Sequence, residues 1–293
     1  MSAPLLLILF SALNLAASEP PAVHADAAWH LKRSPHFEIY YEADWAPDSI
    51  SLELERLYGK LRLNISMFAP WMLKEKTKVY IYKDQDSYLR GDFNPPAWSK
   101  GLAYFALRTV VIFDPGDMVK LRATAAHELS HLYFESYYGE HFKYPPQWLN
   151  EGLAVLVEDM SYSGEGPWSQ ALKYFPKEAA APLKDFFKLG VGQLSSDEQI
   201  GYWYLEAFGV VSYLFTPRTR LQFRNFCAFL REGGKLEPAL WKFYRLNGPA
   251  GMEAPWREWL RLYAGRDARG FSVEYPSSSF NFKPVKFSPV TLR

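Results

Sequence analysis

The sequence contains a single cysteine, Cys227, among 293 residues. One cysteine cannot form an intramolecular disulfide, and it cannot build a metal site from thiolates. Its neighbours Phe226, Ala228 and Phe229 are apolar, which predicts that Cys227 is a small buried residue of the core. Any metal ion bound by this chain must therefore be held by histidines and carboxylates.

The sequence also has no excess of charge of either sign. Its 33 Lys and Arg residues balance 32 Asp and Glu residues, so the formal net charge is +1. With no basic surplus, the composition gives no indication of nucleic-acid binding, and with no acidic surplus it gives none of a polyanion mimic. Hydrophobic residues at 48% and charged residues at 22% are ordinary for a soluble globular protein that buries a core.

Long hydrophobic runs are absent after the N-terminus. Residues 4–15 are almost wholly apolar, and the small residues Ala16, Ala17 and Ser18 follow. This run is short for a membrane span but typical of a signal peptide, with cleavage after Ser18 or Ala25. No Lys or Arg precedes it, so an uncleaved anchor or a buried helix is the alternative. We expect an exported protein, periplasmic or secreted, without a stable membrane span after cleavage.

The remaining pattern predicts an α+β fold, with a small sheet followed by a mostly helical half. Leucines at helical spacing predict a helix over residues 49–68, and Asp114 with Pro115 predicts the start of a helix that continues to about Tyr138. Pro145-Pro146 opens another helix. Alternating apolar residues predict strands at 36–42, 76–82, 101–106 and 109–113. The last two are close enough in sequence to pair as a hairpin.

We expect four segments along the chain. The signal peptide occupies residues 1–25. Residues 28–160 hold the sheet and the first long helices, and residues 161–264 are the helical C-terminal part of the same unit. Residues 265–293 form an extended tail, because they are rich in Pro and Ser and lack helical or strand periodicity.

The helix that ends near Tyr138 contains His127-Glu-Leu-Ser-His131. Residues four apart on a helix lie on one face, so both imidazoles can bind one metal ion. Glu128 lies one step around the helix, beside the metal, where it can accept a proton from an activated water. The alternative is a pair of helix-face histidines that interact with surface carboxylates.

A catalytic zinc site needs a third protein ligand and one open position. Glu151, in Trp148-Leu-Asn-Glu-Gly-Leu-Ala154, begins the next helix, which can fold back beside the first. His141 is the competing third ligand, in a loop flanked by Gly and Pro. The spacing with a third His six residues after the second is excluded, because Tyr137 occupies that position.

Together, His127-Glu-x-x-His131 and Trp-Leu-Asn-Glu151-Gly-Leu-Ala resemble the gluzincin branch of metallopeptidases, specifically the peptidase-MA-like family of exported bacterial proteins. The resemblance covers roughly residues 28–264. It implies a zincin-like fold, one Zn²⁺ held by His127, His131 and Glu151, and peptide-bond hydrolysis. Gluzincins commonly place a Tyr opposite the catalytic Glu to stabilise the oxyanion. Tyr204, and less well Tyr202, occupies the matching position; the alternative is an aromatic packing residue.

Other polar and aromatic residues have simpler interpretations. Asn150 could orient a ligand or could be a helix-surface amide, and Glu158 fits a solvated residue better than a ligand. Packing roles are expected for the aromatic residues at core-like spacing in the terminal helices, namely Trp241, Tyr244, Trp256 and Trp259.

The sequence thus predicts an exported zinc metallopeptidase acting on a peptide or protein. The gluzincin aminopeptidases carry a Gly-x-Met-Glu-Asn segment whose Glu binds the substrate amine, and the corresponding stretch here, 101–108, contains no carboxylate. We therefore expect an endopeptidase. Two alternatives remain: a catalytically silent exported binding or scaffold protein, and a zinc amidohydrolase that acts on a cell-wall amide.

Overall fold

The computed structural model describes residues 29–264, apart from 43–48, 98, 142 and 177–179. The predicted signal peptide (1–25) and the predicted tail (265–293) lie outside the described residues. The described chain forms one mixed sheet followed by a bundle of helices, which confirms the predicted α+β class.

The sheet has five strands in the order β1-β2-β3-β5-β4. The three inner strands are parallel to one another, and the two edge strands are antiparallel to their neighbours. The strands are β1 (Trp29–Arg33), β2 (Phe37–Glu42), β3 (Thr77–Tyr82), β4 (Gly101–Tyr104) and β5 (Thr109–Phe113). The predicted hairpin is therefore confirmed, and its first strand, β4, is an edge of the sheet. This strand ends at Tyr104 rather than at residue 106, because Phe105–Leu107 form a 3₁₀ turn. The sequence pattern did not predict β1.

Ten α-helices occur in the described residues. They are α1 (Ile50–Ile65), α2 (Gln85–Arg90), α3 (Met118–Gly139), α4 (Gln147–Ser161), α5 (Pro167–Lys173), α6 (Leu183–Phe186), α7 (Asp197–Leu214), α8 (Arg220–Arg231), α9 (Leu236–Tyr244) and α10 (Gly248–Ala264). None of the described helices is long and apolar enough to cross a membrane. The helix predicted over residues 49–68 corresponds to α1.

Most of the helices pack on one face of the sheet, whereas α2 contributes Tyr88 to the opposite face. Alternate sheet residues such as Ile39, Val79 and Ile112 are fully buried against α1 and α3 and join the large core. The opposite face carries a smaller, largely aromatic cluster that includes Tyr80, Tyr88 and Phe93. Cys227 is buried in the large core as predicted.

Helix α3 begins three residues later than Asp114 and Pro115 predict. The side chain of Asp117 accepts hydrogen bonds from the backbone N–H groups of Val119 and Lys120 and so caps the helix. Asp114 instead accepts a hydrogen bond from Gly116, whose φ of 76° only glycine adopts easily. A turn therefore separates β5 from α3, and the expectation that Asp114 caps α3 is wrong.

Three helices, α3, α4 and α7, pack side by side at the centre of the helical half. Gly152 allows α4 and α7 to approach closely, because a Cβ at this position would lie 2.4 Å from the backbone oxygen of Ala207. The glycine in the Trp-Leu-Asn-Glu-Gly segment is therefore required by helix packing. The close approach brings Glu151 of α4 and Tyr204 of α7 to the same region.

Candidate metal centre

The side chains of His127, His131 and Glu151 converge between α3 and α4. The Nε2 atoms of the two histidines are 3.1 Å apart. The Oε2 atom of Glu151 lies 3.6 Å from Nε2 of His131 and 3.8 Å from Nε2 of His127. This is the one group of three or more potential metal ligands found among the described residues.

These separations fit a small divalent cation. Ligand atoms about 2.0–2.2 Å from a tetrahedral zinc ion lie about 3.3–3.5 Å from one another, close to the three observed distances. Oε2 of Glu151 is buried and has no hydrogen-bond partner among the described residues. A buried carboxylate oxygen left without a donor is costly unless a cation binds it. The donor set of two imidazoles and one carboxylate suits catalytic zinc.

Glu158 contacts the ring nitrogen of His127 that faces away from the centre. Its Oε2 atom lies 3.0 Å from Nδ1 of His127, so a proton on Nδ1 donates to Glu158 and leaves the Nε2 lone pair free for a metal. Glu158 does not belong to the group of possible ligands, as expected, but it is partly buried against His127 rather than solvated. Glu158 follows Glu151 by two helical turns, and this spacing was the available signal that both point to the same side of α4.

Nδ1 of His131 also faces a carboxylate, but at a longer distance that is not a hydrogen bond. Its Nδ1 atom lies 3.9 Å from Oε1 of Glu135, which follows it by one helical turn. The amide nitrogen of Asn150 donates a hydrogen bond of 2.8 Å to the same oxygen of Glu135. Asn150 is therefore not a free surface amide but fixes the carboxylate that faces His131. Both imidazoles thus present Nε2 to the centre and Nδ1 to a carboxylate, as is usual for metal-binding histidines.

The electrostatics of this centre favour positive charge. Burial alone would lower the pKa of His131, but the carboxylates of Glu151, Glu135 and Glu128 raise it to about 10. Burial is the main cause that raises the pKa values of Glu128 and Glu135, with the neighbouring histidines opposing it. The surplus of carboxylates over imidazoles is what a divalent cation would neutralise.

Glu128 lies beneath the edge strand. A Cβ atom at Gly101, the first residue of β4, would be 2.6 Å from Cγ of Glu128 and 3.0 Å from its Oε1. Only glycine leaves room for the Glu128 side chain at this point. The backbone of β4 therefore restricts the conformations of Glu128 and encloses it next to the two histidines.

Tyr204 approaches the centre from α7. Its hydroxyl is buried and has no hydrogen-bond partner among the described residues. Burial, followed by the carboxylates of Glu151 and Glu128, raises the pKa of Tyr204 well above its usual value. Tyr202 points elsewhere, because its hydroxyl donates to Glu198 on the surface of the same helix. Of the two tyrosines considered from the sequence, the structure therefore brings Tyr204 to the centre.

His141, the competing third ligand, and the buried Glu206 both lie away from the centre. His141 is exposed and does not belong to the group of possible ligands. Glu206 is buried on α7, where Oε2 accepts a hydrogen bond from the backbone N–H of Ala181. Side chains two positions apart on an α-helix project about 200° apart around its axis. Glu206 therefore faces away from the side of α7 that carries Tyr204.

The chain is similar in sequence to a known protein family. A family model described as the peptidase MA superfamily matches residues 67–262, about two thirds of the chain. The match extends from just before β3 into α10 and includes every residue of the candidate centre. No curated protein is similar enough in sequence to count as a match.

Proposed function

This chain belongs to the peptidase MA superfamily and has its zincin-like fold, and we propose that it is an exported zinc metallopeptidase that cleaves within peptide chains. The observation that carries the proposal is the convergence of His127, His131 and Glu151 directly beside the enclosed carboxylate of Glu128. Ligands for a cation and a base at its side are what hydrolysis of an amide requires.

Each residue then has a separate task. His127, His131 and Glu151 would hold one Zn²⁺ ion, which supplies Lewis acidity towards water and the scissile carbonyl when it is bound. Glu128 accepts the proton of the attacking water and delivers it to the leaving amine. The hydroxyl of Tyr204 donates a hydrogen bond to the negative charge that develops on the carbonyl oxygen.

The edge strand provides a place for an extended substrate. The backbone groups on the outer side of β4 pair with no other strand in the described residues, since β4 ends the sheet. A peptide can add to such an edge through main-chain hydrogen bonds, which do not depend on its sequence. Because Glu128 lies under Gly101, a peptide paired with β4 passes over the base.

The proposal is tested with a diverse peptide library incubated with the zinc-loaded protein, with and without a chelator. We expect internal cleavage products by mass spectrometry, their loss with the chelator, and their return when zinc is restored. A zinc-bound protein that cleaves no peptide would favour the silent binding or scaffold protein. Cleavage confined to cell-wall amides would favour the amidohydrolase.

Replacing Tyr204 by Phe removes the hydroxyl and keeps the ring in the core. Loss of one oxyanion donor costs about 100- to 1000-fold in turnover, so we expect kcat to fall by this order while zinc content stays unchanged. The measurement is steady-state kinetics together with metal analysis. Tyr202→Phe is the matched control and should have little effect, because its hydroxyl contacts only Glu198. An unaltered kcat in Tyr204→Phe would return Tyr204 to a packing role.

Blocking the amino terminus of a substrate should not prevent its cleavage. The nearby carboxylates are engaged, with Glu158 at His127 and Glu135 bonded by Asn150, and β4 carries none. Just beyond β4, Glu75 is engaged as well, because it forms an ion pair with Arg108, which stacks on Trp71. A substrate ammonium bound here would lose hydration without compensation. The measurement compares kcat/KM for a peptide and its N-acetylated copy, and a strong loss on acetylation would contradict the endopeptidase assignment.

A further inference from the structure

Starting at the candidate centre, β4 and the residue that follows it pack along α3. At one end, Gly101 of β4 lies against Glu128 of α3. At the other end, the ring of Phe105 lies against Gly139, where a Cβ would be 2.6 Å from the ring. From Gly101 to Phe105 the extended chain spans about 13 Å, and from Glu128 to Gly139 the helix spans about 16 Å. The strand and the helix therefore run side by side in the same direction.

The end of this contact that lies farther from the centre is aromatic. Phe105 follows β4 directly and packs with the helical core, as Ala103 does, while Leu102 and Tyr104 pack on the opposite face of the sheet. The ring of Tyr144 stands edge-on to Phe105, with centroids 6.4 Å apart and planes at 79°. We call Phe105 and Tyr144 the aromatic corner.

Tyr144 is the more informative of the two residues. It is 71% exposed, the largest exposure of any aromatic residue named among the exposed hydrophobic side chains of the described chain. A single exposed aromatic residue is ordinary. Tyr144 differs because it contacts Phe105, which ends the run of chain that begins over Glu128, and because Pro145 and Pro146 directly follow it. Prolines restrict the backbone, so the ring is presented with little loss of conformational entropy on binding.

We propose that the aromatic corner is a substrate subsite for an apolar side chain, preferably aromatic, about four residues from the scissile bond. This inference rests on the proposed function. Gly101 and Ala103 of β4, and Phe105 at the start of the turn that follows it, face the helices. A peptide strand that pairs with β4 and continues past its end would therefore present a residue to the same side next to Phe105. Antiparallel pairing is the more stable arrangement. It places this substrate residue on the N-terminal side of the scissile bond.

The test uses twelve-residue peptides of Ala and Ser, N-acetylated and C-amidated, in which a single Phe is moved one position at a time. With zinc-loaded protein, we expect the cleaved bond to move with the Phe and to stay about four residues C-terminal to it. In Tyr144→Ala, kcat/KM for these peptides should fall roughly 3- to 10-fold, to the level of a peptide without Phe. Tyr144→Phe should keep the preference, and so should Trp241→Ala, which removes an exposed aromatic residue on α9.

A binding measurement separates this inference from the proposed function. Fluorescein-labelled peptides with Phe or with Ala at the chosen position are titrated into the zinc-loaded Glu128→Gln variant, and fluorescence anisotropy is followed. Tighter binding of the Phe peptide, lost on adding Tyr144→Ala, supports the subsite even if the wild-type protein cleaves nothing. Equal binding of both peptides would overturn it, whether or not cleavage occurs. Cleavage whose position ignores the Phe would overturn it as well.

Discussion

Glu128→Gln is expected to abolish hydrolysis while zinc remains bound. The amide of Gln has the size of the carboxylate, so it fits beneath Gly101, where a Cβ would be 2.6 Å from Cγ of Glu128. It cannot accept the proton of water, and a positioned general acid–base contributes roughly 10²–10⁴-fold or more to the rate. Since Glu128 is not among the three converging ligands, the metal should stay. The measurements are kcat and the zinc content of the purified variant.

Glu206→Gln is the matched control for this change. Glu206 is also a buried glutamate, and burial raises its pKa to about 8, but its carboxylate accepts a hydrogen bond from Ala181 outside the centre. Its replacement should leave turnover and zinc content close to those of the wild-type protein. If Glu128→Gln released the metal, Glu128 would be a ligand and its assignment as the base would be wrong.

Glu151→Ala is expected to remove most of the bound metal, and with it the activity. Only two imidazoles would remain, and a catalytic zinc site uses three protein ligands. Weakening a supporting residue typically costs about 10- to 100-fold in metal affinity. Glu158→Gln, which disturbs the support of His127, should show a loss of that size, and Glu151→Ala a larger one. Competition with a chromophoric chelator measures the zinc affinity of the wild-type protein, of Glu158→Gln and of Glu151→Ala.

His141→Ala completes this series. His141 is exposed and does not belong to the converging group, so its replacement should leave the metal affinity unchanged. If His141→Ala instead released the metal while Glu151→Ala kept it, the third ligand would have been assigned to the wrong residue. Glu151→Gln, which preserves the volume of the buried side chain, distinguishes loss of the ligand from loss of packing.

Elements with their own periodicity were predictable from the sequence. The apolar alternation over Thr77–Tyr82 and the spacing of leucines in α1 gave the correct strand and helix, and the family was recognised from residues 127–154. The strand Trp29–Arg33 was not predicted, because an edge strand that is mostly exposed has no apolar face to alternate. Trp241 was expected to pack but is 55% exposed, whereas Trp256 is fully buried.

The sequence by itself determined which groups are available for chemistry. One cysteine excluded thiolate sites, and the four-residue spacing of His127 and His131 placed both on one face of a helix, because helical geometry is local. The tertiary structure decided what these groups meet. The pairing of Glu158 with His127, the position of Gly101 over Glu128, and the choice of Glu151 over His141 for the converging group all depend on how separate elements dock. Periodicity reports which side of an element is buried, but it carries no information about the neighbour that covers that side.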